Sequence, residues 1–75
     1  MSMHRETYFT CTFASRHERR TAVIPAWDAA MAESLFRAVL DEEAAGPGTI
    51  EVEVPGGGVA RRGRFAPSTG ALPPP

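Results

Sequence analysis

The chain contains no lysine, no asparagine and no glutamine, and in 75 residues it has one cysteine, one tryptophan and one tyrosine. Each absence excludes something. A phosphate loop of the G-x-x-x-x-G-K-[ST] kind needs a lysine. A lone Cys11 permits no disulfide within the chain. No apolar run approaches the roughly 18 residues of a membrane helix. The opening MSMHRETYFT is polar and lacks the apolar centre of a secretion signal, so the expectation is a soluble, cytoplasmic protein. An excess of one charge is missing too. Eight arginines against nine acids leave a net charge of −1, which gives no general electrostatic case for binding nucleic acid or a membrane surface. Arginine as the only strong base, with abundant Ala, Gly and Pro, is the composition of a GC-rich coding sequence, bacterial or from a phage of such a host. A chain this short forms one domain at most. Its small core often needs help from a partner or a second copy.

What is present reads as two hairpins around a helix. Residues 6–13, ETYFTCTF, alternate β-branched and aromatic residues as a strand does. Thr7, Phe9, Cys11 and Phe13 share one face, and Tyr8, Thr10 and Thr12 share the other. Residues 19–24, RRTAVI, form the second strand. A turn on Arg16 and His17 pairs Phe13 with Arg20, Cys11 with Ala22 and Phe9 with Ile24. Pro25 is expected to end that strand and open a helix over residues 26–45, with Asp28 near its positive end and GPG at 46–48 as its terminator. Residues 49–54, TIEVEV, alternate strictly, with Ile50, Val52 and Val54 inward. Residues 59–65 form the fourth strand.

The run VPGGGVARRGRF, residues 54–65, combines three glycines with three arginines. A two-residue turn on Gly56 and Gly57 makes it a hairpin. That register pairs Val54 with Val59, Val52 with Arg61 and Glu51 with Arg62. The basic strip of Arg62 and Arg64 then faces an acidic strip of Glu51 and Glu53, in pairs worth roughly 0.2–1 kcal/mol each. Arg61 falls on the inward face beside Gly63. It is read either as a side chain snorkelling at the rim or as a guanidinium held for an anionic ligand or partner.

On the helix, the apolar arc from Trp27 through Met31, Leu35, Val39 and Phe36 to Leu40 spans about 220°. One sheet covers a stripe of little more than about 100°. The centre of the arc is expected on the sheet and the flanks, Trp27 and Leu40, outside it. Glu33, Arg37 and Asp41 are expected on the solvated face. Asp41, Glu42 and Glu43 crowd a helix end where the macrodipole disfavours anions, a local conflict with no compensation visible in the sequence.

The soft-ligand candidates are His4, Cys11 and His17, whose spacing matches no zinc signature. Cys11 reads as a small core hydrophobe. Ser15, Ser34 and Ser68 have no evident base. The reading is therefore a non-enzyme with no cofactor and no metal.

The expected architecture is α+β in the order ββαββ, with an extension at 1–5, one domain over 6–65 and a proline-rich flexible tail at 66–75. In element order and length, 6–65 resembles the β-grasp arrangement. That resemblance implies a helix crossing one face of a four-stranded sheet whose first and last strands lie parallel at the centre; it implies no activity, and the same elements also allow a different strand order. The chain ends ALPPP and lacks the terminal Gly-Gly of ubiquitin-like modifiers. The leading functional reading is an accessory or regulatory interaction module that binds another protein or forms a homodimer, with Trp27, Met31, Phe36 and Leu40 as interface candidates. The alternative is a single-stranded nucleic-acid binder using Tyr8, Arg62 and Arg64 on the outer sheet face. No membrane partner is expected.

Overall fold

A computed structural model describes residues 6–67. The predicted extension at 1–5 and most of the predicted tail, 68–75, lie outside the described residues. The elements are β1 (Thr7–Ala14), β2 (Arg19–Ala26), α1 (Ala29–Glu42), β3 (Gly48–Glu53) and β4 (Val59–Phe65). They form an α+β fold in the expected ββαββ order, with α1 packed on one face of a four-stranded sheet.

The strand order is β2-β1-β3-β4, antiparallel throughout. This corrects the β-grasp expectation. The first and last strands are not neighbours: β1 pairs antiparallel with β3, and β4 lies at an edge. Burial explains the choice. Next to Cys11 and Phe13 of β1, strand β3 supplies Ile50 and Val52, and all four are at most 1% exposed. The inward positions of β4 are Arg61, Gly63 and Phe65, so that strand has one large apolar side chain for a core. A strand with an arginine and a glycine facing inward suits a rim.

The first hairpin has the expected register: Phe13 opposite Arg20, Cys11 opposite Ala22, Phe9 opposite Ile24. Ser15 closes its turn. The Ser15 N–H donates to the Glu18 carbonyl at 2.9 Å, and Ser15 Oγ accepts from the N–H groups of His17 and Glu18. Contrary to expectation, β2 does not stop at Pro25 but runs through it to Ala26. The ladder alternation counted from Ser15–Glu18 directs the Pro25 nitrogen to the open edge, where a missing N–H costs nothing.

The helix is shorter than expected at both ends. Asp28 is the N-cap, with Oδ1 accepting from the Met31 N–H at 2.8 Å. At the other end Ala44 has φ +59°. The Ala45 N–H donates to the Leu40 carbonyl at 2.9 Å and the Ala44 N–H to the Asp41 carbonyl at 3.1 Å. This is a Schellman motif built on alanine, two residues ahead of the glycine expected to end the helix. Leu40 and Ala45, the two side chains that accompany such a motif, are both buried.

The second hairpin keeps its predicted register from Val52 onward by an unpredicted route, but Val59 lies opposite Glu53 and not opposite Val54 as expected. The Gly57 N–H donates to the Val54 carbonyl at 2.9 Å, so the turn centres on Pro55 and Gly56, one residue earlier than expected. Gly56 and Gly57 have φ of +99° and +105°, which glycine adopts without strain. A bulge that leaves Ala60 unpaired then restores Val52 opposite Arg61 and Glu51 opposite Arg62. Val54 was expected inward; it lies just past β3 and is exposed.

Between the layers sit Phe9, Cys11, Phe13, Ala26, Ala32, Phe36, Leu40, Ile50, Val52 and Phe65. The Phe13 and Phe65 rings meet edge to face at 5.8 Å. Gly48 allows this closeness at the start of β3. A Cβ there would lie 2.5 Å from both the Ala14 carbonyl oxygen and Phe13 Cε1.

Candidate functional site

The orientation of α1 decides which apolar side chains remain outside. Ala32, Phe36 and Leu40 are buried, with Ala29 packed against the core. Leu40 was expected on an exposed flank, and Phe36 among the interface candidates. Leu40 is 0% exposed and Phe36 is 2% exposed, so neither is available to a partner. The helix is rolled toward β4. Glu33, expected in solvent, turns onto the sheet: its side chain is only 13% exposed. Arg61 Nε donates to Glu33 Oε1 at 2.5 Å, and Arg37 Nε donates to Oε2 at 2.8 Å. Gly63 makes the space, since a Cβ there would stand 3.2 Å from an Arg37 nitrogen. The hydrogen bond from Arg61, with that from Arg37, holds the Glu33 carboxyl below its ordinary range against the opposing effect of burial. Arg61 is thus neither a bare rim side chain nor a waiting ligand anchor; it ties β4 to the helix.

This roll turns a different row outward. Met31, Leu35 and Val39, three successive positions four residues apart, are 36–41% exposed, and Trp27 at the head of the row is 53% exposed. Beside them runs a second row of exposed small residues: Ala30, Ser34 and Ala38. Ser34 and Ala38 floor a shallow hollow of about 340 Å³ bounded by Arg37, Asp41, Phe65 and Ala66. From 30 to 39 the charged helix residues are Glu33 and Arg37, and both lean toward β4. The ridge of Met31, Leu35 and Val39 therefore bears no charge, while Arg37 borders the groove beside it. Large side chains stand beside a groove lined by small ones.

The acidic helix end has a compensation that the sequence did not reveal. Arg20 of β2 reaches Glu43 as well as Glu18, and both bonds stabilise its cationic form.

The outer sheet face brings the alternative residues only partly together. Tyr8 is 64% exposed opposite Pro25, at one end. Arg62 is held by Glu51, Nε to Oε2 at 2.9 Å, as the hairpin register implied. Arg64 lies at the other end, opposite Thr49. Tyr8, Thr10, Thr12, Thr21 and Val23 leave the β1–β2 half of this face almost without charge.

Cys11 is fully buried. Desolvation, with a smaller contribution from the Glu33 charge, pushes its thiol pKa up. Among the described residues no three His, Cys, Asp or Glu side chains gather where they could share a metal ion. His4 lies outside the described residues, and His17 sits in the first hairpin turn. No described helix is long and apolar enough to cross a membrane. No protein-family model, curated protein or solved structure matches this chain.

Proposed function

We propose that this protein is a small non-catalytic interaction module that associates with a second copy of itself through the outward face of α1. One observation carries the reading: Met31, Leu35 and Val39 form an exposed, uncharged ridge beside the groove of Ala30, Ser34 and Ala38. A ridge of i, i+4 residues is the element that helices interlock when they cross at about −50°. Ridge and groove on one face make that face complementary to its own copy under a two-fold axis. The ridge itself carries no charge, and Arg37, which borders the groove, is already paired with Glu33, so a like surface brings little repulsion. Trp27 and Met31, two of the four interface candidates, belong to this surface. Leu35 and Val39 replace the buried Phe36 and Leu40.

Size sets the expected strength. A 14-residue helix is about 21 Å long. One such face per copy gives an interface below about 1,200 Å² in total, the range of weak and transient contacts. Association in the micromolar range follows, consistent with an accessory or regulatory role.

Trp27 is the only tryptophan, which gives a direct readout. On dilution through the micromolar range its emission moves to longer wavelength as the interface opens. In Leu35→Asp the emission is already at the long-wavelength position at every concentration. Emission that is independent of concentration and identical in the two proteins contradicts the proposal.

A further inference from the structure

The arginines of the described chain fall into two groups. Arg20, Arg37, Arg61 and Arg62 are each held by an acid: Arg20 by Glu18 and Glu43, Arg37 and Arg61 by Glu33, and Arg62 by Glu51. Arg16, Arg19 and Arg64 form no ion pair with any described acid, and all three are exposed at the same end of the sheet. Arg19 and Arg64 terminate one cross-strand row on the outer face, Arg19–Ala14–Thr49–Arg64, which crosses all four strands. Their backbones stand about 14 Å apart, three strand spacings. The two residues between them, Ala14 and Thr49, are small and leave the space between the two arginines open. Arg16 enters from the first hairpin turn. It shares with Arg64 an open hollow of about 590 Å³, whose other walls are Pro47, Gly48, Thr49, Phe65 and Ala66. Arg19 lines an adjoining hollow of about 190 Å³ with Thr12, Ala14, Thr49 and Glu51, so exposed Thr49 is common to both.

The acid lining the Arg19 hollow and the acid beside Arg16 are both paired with another arginine. Glu51, on the edge of the smaller hollow, accepts from Arg62. Glu18, on the far side of Arg16, accepts from Arg20. The chain as a whole is close to neutral, yet this end keeps three guanidinium groups along two adjoining hollows that share Thr49.

We infer that the sheet end formed by Arg16, Arg19, Thr49 and Arg64 is a binding site for a phosphate oxyanion. Planar guanidinium groups pair with phosphate oxygens in bidentate fashion, and the Thr49 hydroxyl adds a neutral donor between them. The site uses the opposite end of the outer face from Tyr8 and does not use Arg62. It is separate from the helix surface and independent of the self-association proposed above.

The test is a titration of the full-length, isotope-labelled protein with two probes, inorganic pyrophosphate and a single-stranded oligothymidylate, followed by amide and arginine Nε–H resonances. Binding should shift Arg16, Arg19, Thr49 and Arg64 and leave Tyr8 and Val23 in place. Combined Arg19→Ala and Arg64→Ala substitution should weaken it by about tenfold or more, the loss expected for charge-assisted hydrogen bonds. Arg61→Ala, which removes one unit of the same charge from a residue that lines neither hollow and whose partner Glu33 stays paired with Arg37, should change it little. Unshifted Phe13 and Ile50 resonances in the variants show that the fold is intact. If both probes move the same residues, and the oligonucleotide binds more weakly as salt rises, the phosphate belongs to a nucleic-acid strand. If pyrophosphate alone does so, it belongs to a small phosphorylated ligand. No shift with either probe at millimolar concentration overturns the inference. So does an equal loss in Arg61→Ala, which would reduce the effect to overall charge.

Discussion

Glu33 Oε1 accepts a hydrogen bond from Arg61 Nε at 2.5 Å, linking the first half of α1 to the edge strand β4. The same carboxylate accepts from Arg37 one helical turn on. Two guanidinium groups on one largely covered carboxylate give this contact a pH signature. The folded pKa of Glu33 lies below its unfolded value. Its stabilising contribution is therefore fully present above the ordinary carboxylate range and is lost as pH falls through the lowered folded pKa. Glu33→Gln should cost about 0.5–1 kcal/mol at neutral pH, modest because Arg61 is half exposed. In acid the stability difference between the two proteins should shrink toward the small difference between their neutral side chains. Denaturant melts from neutral pH into acid check this; a difference that stays constant with pH would assign the cost to packing alone.

Ala44 should be improvable. It occupies the left-handed position of the Schellman motif with φ +59°, a conformation that costs an alanine roughly 1–2 kcal/mol and glycine almost nothing. Ala44→Gly should raise stability by about 1 kcal/mol, less whatever glycine loses in the unfolded chain. For a domain of this size, that is a rise of about 4–8 °C in Tm. An unchanged or lower Tm in a calorimetric scan would contradict the assigned cap.

Gly48→Ala should do the opposite. The added methyl would stand 2.5 Å from the Ala14 carbonyl oxygen and 2.5 Å from the Phe13 ring. Both neighbours belong to the most buried pairing of the sheet, so a cost of about 1–3 kcal/mol is expected. Loss of the near-ultraviolet signal of the Phe13–Phe65 pair should accompany it. A variant as stable as the parent would show that β1 and β3 do not approach each other this closely.

Cys11 should be inert. It is fully buried and its thiol pKa is pushed up, chiefly by desolvation, so little thiolate is present to react. A thiol reagent should label it only as fast as the protein unfolds. Rapid labelling of the native protein would reverse the face assigned to β1.

The alternation of Phe9, Cys11 and Phe13 was enough to place the core face of β1, and Arg16–His17 was enough to set its register with β2. The pairing of Glu51 with Arg62 was also legible, although for a partly different reason. The Pro55–Gly56 turn shifts the chain by one residue and the bulge at Ala60 shifts it back. Strand order was not deduced, yet the signal stood in the sequence: Arg61 and Gly63 on the inward face of β4 disqualify it as a central strand. The roll of α1 was harder to see. A hydrophobic arc of about 220° contains several acceptable stripes. The stripe that is buried carries Phe36 and Leu40, and it brings Glu33 to Arg61 on a strand 28 residues later. Leu35 and Val39 are left outside. The described arginines without acid partners could not be sorted from sequence either, because their pairing depends on the strand register and on the roll of α1.

Self-association through α1 is tested most directly by sedimentation equilibrium at micromolar concentration on three proteins: the parent, Leu35→Asp and Leu40→Asp. The account predicts a concentration-dependent dimer for the parent and a folded monomer for Leu35→Asp, whose side chain lies on the exposed ridge. It predicts an unfolded chain for Leu40→Asp. That substitution removes a fully buried side chain, at a cost of about 2–5 kcal/mol before the buried charge is counted. A parent that stays monomeric at every accessible concentration, or a Leu35→Asp variant that dimerises as the parent does, would contradict it.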